Sequence, residues 1–506
     1  MFLLLTTLTT AQAGDFVDVW ITTAIEDTNL RAGPEDYSPA PNFVARGNRT
    51  FFEDYEAAYS DDITQGHLVL YRADDGFWDG WFTEAAMVLQ FQPYLDPDET
   101  DDGVDLKDDG SYVRVGRELG EGDISLTGYA VDASRFRLGY SYDLSYGGKE
   151  IMARSVGAMP GLRLQLQQPK WYAFAGAKSA IGQRTYGQDC TAVGAASEED
   201  EDGCSETLGD RNSAYYGLLF GAGTNIGGKL KLEAGYGLFQ QGQLENVPDA
   251  SSPLYGELIV ANGYSGQVAF RTTEDLDFIQ SSELRLYRNA PDFVKDTYIS
   301  HHQLDGFGLL VQAEVDALVH NLLDADNTGT TTLEWGLAGD VQSLAVFGAT
   351  TVGVDLVYKD LAYILFNVPG LTSGVSIPTD MEVTPQLYGR LKVSHYLEKA
   401  RLAPSAGVGL MQPASYTTDQ GTFVQYTERD KEGVPAGQEA TPILGAIVGA
   451  QLDLSKSMVT VAEVLYTADP NLSEVVYADD GGTTRVSEST NVQNALGFNL
   501  MLRARF

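Results

Sequence analysis

Apolar and polar residues alternate along much of this chain with a period of two. Over residues 135–146 one face would carry Phe136, Leu138, Tyr140, Tyr142, Leu144 and Tyr146, and the other Arg135, Arg137, Ser141 and Asp143. Residues 162–166, 229–238 and 387–396 repeat the unit, and residues 17–22 begin it. The final stretch sets Leu496, Phe498, Leu500, Leu502 and Phe506 against Gln493, Gly497, Asn499, Arg503 and Arg505. Such alternation predicts strands whose two faces meet two different solvents. A sustained 3.6-residue period is almost absent. No segment reaches the roughly 18 consecutive apolar residues that a membrane helix needs. The chain reads as all-β.

A single alternating strand fits a soluble sandwich, polar face to water, as well as a membrane barrel, apolar face to lipid and polar face to the lumen. The connections separate the two. Residues 167–170, 225–228, 397–400 and 454–457 form tight turns, whereas 28–65, 96–110, 179–212, 413–440 and 468–490 form long polar loops. In the C-terminal third the two kinds alternate. Short turns at one end and long loops at the other are the pattern of outer-membrane barrels, and Greek-key sandwiches lack that regularity. The expected architecture is a transmembrane antiparallel up-and-down β-barrel of about 18 strands, within a range of about 16 to 20, with short periplasmic turns and long extracellular loops. Both termini then lie on the periplasmic side, which requires an even strand number.

The last strand resembles the C-terminal insertion strand of Gram-negative outer-membrane β-barrels, which typically ends in Phe. Two positions depart from that pattern: Met501 stands where a small residue is common and Ala504 where an aromatic is common. The resemblance is to the class, porin-like barrels, and to no particular family. It implies that Phe498, Leu500, Leu502 and Phe506 form an assembly signal read by the barrel insertion machinery. It also implies residence in the bacterial outer membrane, among its lipid and lipopolysaccharide, and allows a homo-oligomer. At the other end, residues 2–10 are apolar and Ala11-Gln12-Ala13 is a small-x-small cleavage site. A secretory signal peptide over 1–13 and a single barrel domain over 14–506 are expected, a buried first strand being the alternative. No basic residue precedes the apolar run, so the natural start is expected upstream of Met1. Strand one begins too soon after the cleavage site to leave room for the plug of TonB-dependent transporters.

Charge adds to this picture. With 33 basic and 71 acidic residues the net charge is −38, which excludes nucleic acid as a partner, since the phosphate backbone would be repelled. Acidic residues crowd the loops, as at Asp96, Asp98, Glu99, Asp101, Asp102, Asp105, Asp108 and Asp109. Residues 98–109 and 324–334 faintly resemble EF-hand calcium loops, but neither has flanking helices, and a hydrated outer loop is the plainer reading. No metal site is assigned and no cofactor is expected. Cys190 and Cys204, the only two Cys, are expected to pair across the acidic run 198–202. The bridge would close a loop of about 15 residues, worth ~3 kcal/mol.

Many basic residues instead fall on the polar faces of strands. Arg114, Arg135, Arg137, Arg163, Lys229, Lys231, Arg285, Arg390, Lys392, Arg503 and Arg505 sit at lumen parity, with the acids Asp143, Glu233 and Glu314. These are the pore-lining candidates. They could pair across strands and stiffen the wall, or form a basic wall facing acidic loops and set ion preference. The five His (His67, His301, His302, His320, His395) have no nucleophile or metal partner at a useful spacing, and no enzyme is expected. The function expected is passive diffusion of small hydrophilic solutes or ions through a porin-like channel. The alternatives are a filled-lumen barrel that anchors or helps assemble an envelope complex, and a hydrolase built from external loops around His301 and His302. An internal constriction is expected from an inward-folding loop, 28–65 or 179–212.

Overall fold

The structure, a computed structural model, describes residues 17–27, 29–30, 63–94, 103–139, 141, 144–148, 158–184, 211–244, 252–276, 278, 304–366, 374–418, 421–426, 431–434, 438–471, 474–480, 483–489 and 493–506. In chain order the strands are β1 (Asp18–Asp27), β2 (Ile63–Asp75), β3 (Trp81–Tyr94), β4 (Gly103–Asp108), β5 (Tyr112–Leu119) and β6 (Gly122–Tyr129). β7 (Gly161–Gln167), β8 (Trp171–Arg184), β9 (Arg211–Ile226), β10 (Leu230–Gln243), β11 (Leu258–Arg271) and β12 (Phe307–Leu323) follow. Next come β13 (Thr331–Phe347), β14 (Thr350–Lys359), the short helix α1 (Leu361–Phe366), β15 (Glu382–Thr384), β16 (Gln386–His395) and β17 (Leu402–Gln412). The last are β18 (Ala414–Thr418), β19 (Gly421–Gln425), β20 (Lys431–Gly433), β21 (Ile443–Ser455), β22 (Met458–Asp469), β23 (Glu474–Asp480), β24 (Thr483–Ser489) and β25 (Gln493–Arg505).

Each wall strand pairs antiparallel with its neighbours, and β1 pairs with both β2 and β25, so the sheet closes. β4 and β5 both pair with β3 and together make one wall strand broken at 109–111. The wall therefore has eighteen strands. β15 and β18–β20 form a small separate sheet, and β23–β24 a hairpin, in the loops.

Alternation dictates which solvent each face meets. On β1, Thr22, Ala24 and Glu26 are buried inside, while Ile21 and Ile25 are exposed on the outside. The outward faces of the other strands are equally apolar: Val113 and Val115, Leu162 and Leu164, Val408 and Leu410 all lie exposed. β25 follows its sequence pattern, with Leu500, Leu502 and Phe506 outside and Asn499 and Arg503 inside. Phe498, half-buried, shares the outward parity. Among the described residues no helix is long and apolar enough to cross a membrane, and the strands make the crossing. A closed barrel with an apolar exterior and a polar interior satisfies every backbone group without lipid and is a membrane wall of the outer-membrane type.

At the end where β1 begins and β25 finishes, the connections 76–80, 120–121, 168–170, 227–229, 348–349, 396–401 and 456–457 are short. The connection 272–306 is the exception at that end. Three sequence expectations need correction. Residues 103–108, read as loop, form β4, because Gly103 to Asp108 pair with Tyr94 to Leu89. β8 and β9 run well into the span 179–212. Of residues 135–146, the clearest alternating unit in the chain, those described (135–139, 141 and 144–146) are not a wall strand: they lie between β6 and β7 and fold into the lumen. The signal peptide, Cys190, Cys204 and the loop 28–65 (apart from Asn29, Leu30 and the start of β2) lie outside the described residues, as does the centre of 179–212.

Candidate functional site

The lumen is shaped by the described part of the segment 130–160, namely residues 130–139, 141, 144–148 and 158–160. Its root is tied where the Ala133 N–H donates to the Met159 carbonyl (2.8 Å) and the Met159 N–H donates to the Val131 carbonyl (2.8 Å). Leu138 and Tyr146 then form a short antiparallel bridge, with N···O distances of 2.9 and 3.0 Å. The segment's described apolar side chains Phe136, Leu138, Leu144 and Tyr146 pack in one cluster with the inner wall. Phe136 meets Phe174 of β8 edge-on at 6.0 Å, and Tyr146 meets Phe239 of β10 at 6.2 Å. Wall glycines make this approach feasible. A Cβ on Gly235 would lie 2.7 Å from the Leu138 side chain, and one on Gly263 would lie 2.3 Å from the Tyr146 ring. Glycine inside a strand commonly marks such a close approach.

The tip of the segment reaches β12 and β13. The Ser141 N–H donates to Glu314 (2.8 Å) and its hydroxyl donates to Asp340 (2.5 Å). Gly139 adopts φ +92°, and a Cβ there would stand 2.5 Å from the Glu314 carboxylate. The Tyr363 hydroxyl of α1 donates to the Leu144 carbonyl, and Lys178 of β8 donates to the Gly147 carbonyl. α1 is itself fixed by Asp360, which accepts from the Tyr363 and Leu337 N–H groups (both 2.7 Å) as an N-cap would. Burial raises the Asp360 carboxyl above its usual range, and these two backbone donors pull the other way. At the root, Asp109, in the break between β4 and β5, accepts from Arg135 (2.7 Å) and lies 3.0 Å from His67 Nε2.

The inner wall beneath and beside this segment is nearly dry. Arg114 pairs with Glu84 at 3.2 Å, both almost fully buried, and reaches Asp123 at 3.5 Å. Removing one partner of such a pair costs about 3–5 kcal/mol, because the other charge stays buried. Arg163 lies over the rings of Phe136 and Phe174 at 5.4 and 5.2 Å. Lys231 and Glu233 are buried on β10 beside Gln267 and Gln312. At the turn end, Leu276 and Phe278 of the connection 272–306 fold back inside against Ala269, Leu310 and Val346. Arg271 lies 4.4 Å from the Phe278 ring centroid.

On the wall from β14 round to β2 most of the paired polar groups are buried as well, with Lys392 and Asp18 partly exposed. Arg390 donates to Asp355 at 2.8 Å. Lys392 pairs with Glu463 at 2.9 Å, with the lysine side chain 42 % exposed. Arg503 donates to the Thr22 hydroxyl at 3.2 Å, and Arg505 to Asp18 at 3.3 Å while lying over Trp20.

Of the residues expected at lumen parity, Arg114, Arg163, Lys231, Glu233, Arg390, Lys392, Arg503 and Arg505 do point inward from wall strands. Arg135 and Arg137 lie inside the lumen on the inward segment, not on the wall. Lys229 is corrected: it is exposed in the turn 227–229, where Gly227 and Gly228 take φ +60° and +71°. Asp143 and Arg285 lie outside the described residues. Sequence reasoning missed Glu84, Lys178, Asp316 and Asp340, all of which were legible as inward positions once the strand parity was fixed. Among the described residues no group of three His, Cys, Asp or Glu is arranged to hold a metal ion. In the stretch 324–334, Asp324 instead accepts from the N–H groups of Asp326 (2.9 Å) and Asn327 (3.2 Å) and shapes its own turn.

No family model and no curated protein matches the sequence. Among solved structures the chain is similar to OccAB3 of Acinetobacter baumannii, with 7% identity over 97% of this chain and 98% of that one at a TM-score of 0.45. It is similar to the outer membrane protein OpdK of Pseudomonas aeruginosa, with 7% identity, the same two coverages and a TM-score of 0.43. OmpT, an outer membrane protein of Vibrio cholerae, gives 10% identity over 97% of each chain and a TM-score of 0.35. The closed sheet, rather than these likenesses, establishes the barrel.

Proposed function

We propose that this barrel is a channel for passive diffusion of small hydrophilic solutes or ions, narrowed on one side by the segment 130–160. One observation supports it above the rest. Lys392 faces the lumen from a wall strand, yet its side chain is 42 % exposed, whereas Arg114, Arg163, Lys178 and Lys231 on the other side are buried. Water therefore reaches the inner wall at Lys392 on β16. A polar, wet lumen flanked by fixed charge selects and passes ions. The filled-lumen reading, an anchor or assembly partner, draws on the continuous buried cluster that links Trp20, Tyr71, Tyr112, Tyr146, Tyr363 and Tyr426 across wall, segment and loops. Conductance of the purified, folded protein in a planar lipid bilayer discriminates the two. Stable stepwise openings are expected; a silent barrel of normal heat-modifiability would favour the anchor.

A further inference from the structure

We propose that the Lys392–Glu463 pair is the charge-selectivity element of the lumen; this rests on the channel reading above. Lys392 projects from β16 and Glu463 from β22, with β17 and β21 between them. A glycine stands beside each charge on the intervening strands. Gly407 is the neighbour of Lys392 on β17, and Gly449 the neighbour of Glu463 on β21. The Glu463 side chain lies over Gly449, where a Cβ would come within 2.7 Å of its Cγ. The carboxylate thus leans over the adjacent strand β21, meets the ammonium at 2.9 Å, and takes a long contact from the Asn499 amide at 3.5 Å.

The two members differ in exposure: the lysine is 42 % exposed and the glutamate 8 %. The lysine meets passing ions while the glutamate, mostly withdrawn, cancels its field. Two other inward pairs act less on the path. Arg114 is neutralised by Glu84 in a dry site, and Arg390 by Asp355. A passing ion feels fixed charge that water reaches within about one Debye length, ~8 Å at physiological salt. The native lumen is accordingly close to charge-neutral at this point, and its preference is set by a pair whose halves can be removed separately.

The test is the reversal potential of the reconstituted channel across a salt gradient. Glu463→Gln unmasks the lysine and shifts the reversal potential to the anion side. Lys392→Gln leaves the glutamate alone and shifts it to the cation side. The double substitution returns it close to the wild-type value, whereas Lys231→Gln, on the buried side, leaves it where it was. Unchanged reversal potentials in conducting single variants overturn the proposal. A separate readout does not depend on conduction: Lys392→Cys in the folded, reconstituted barrel should react with a membrane-impermeant cationic thiosulfonate. An inert thiol there overturns the assignment even if the channel conducts. A silent wild-type barrel with a reactive thiol removes the channel reading and, with it, this role for the pair.

Discussion

At the scale of single residues, the lumen is governed by glycine as much as by charge. Gly263 lies on the inward face of β11 under Tyr146, and a Cβ there would come within 2.3 Å of the ring. Gly263→Val should force the ring off its seat against Phe239 and cost about 1–3 kcal/mol, the usual range for overpacking. The check is a lowered urea midpoint of the folded, heat-modifiable form, with the outward Gly266→Val as the control, since its Cβ would meet only a backbone oxygen at 4.0 Å. The polar faces of the sequence already contained the signal. Gly176, Gly235, Gly237 and Gly263 interrupt inward faces, and a side-chain-free position there implies that something approaches the wall. What approaches it could not be read from one strand, because the partners of Gly263 lie more than a hundred residues upstream.

At the scale of elements, residues 135–146 show why a perfect period can mislead. Period two fixes that successive side chains point to opposite faces; it does not say what lies on either side. In a wall strand the apolar face of this unit would have met lipid. Here Phe136, Leu138, Leu144 and Tyr146 of that face are buried in one cluster with the inner wall, while on the opposite face Arg137 donates to the Ser145 carbonyl and Ser141 reaches Glu314 and Asp340. Lys229 failed for a related reason, since the two glycines before it continue the turn and leave it outside the ladder. The segment supplies a direct test of its own. Excising residues 136–145 and joining the ends with a short Gly-Ser linker should increase single-channel conductance, because the side chains crowding β8 to β12 are removed while wall pairing is untouched. Equal conductance in a folded variant would show that the segment does not narrow the path.

At the scale of the whole molecule, closure depends on the β1–β25 seam. Removing residues 502–506 would delete the pairings of Leu502, Arg503, Ala504 and Arg505 with Thr23, Thr22, Ile21 and Trp20. It would also remove both backbone bonds between Val19 and Phe506 (3.1 and 2.9 Å). The truncated chain should be made and exported but not reach the folded, heat-modifiable form, and normal folded levels in the outer membrane would contradict this. Eighteen strands, their parity and the placement of most short turns were legible because alternation and turn chemistry are local. The connection 272–306 was not. It carries its own alternating residues around Arg285, so it reads like another strand, and only the pairing of β11 with β12 shows that it is left out of the ring.

The reach of Ser141 to Glu314 and Asp340 has a consequence for the circumference of the ring. Every wall strand except at the seam pairs with its neighbours in the chain, so topology alone would tolerate the gain or loss of a hairpin almost anywhere. The segment 130–160, however, leaves the ring between β6 and β7 and makes landfall at β12 and β13, spanning a chord of fixed length. A duplicated hairpin among β8 to β11 would widen that chord and pull the tip from its carboxylates. The same duplication among β16 to β22 would leave the tip docked. The molecule thus carries an internal caliper that holds the arc from β7 to β12 to its present gauge, while on the opposite arc the shorter Lys392–Glu463 contact ties β16 to β22.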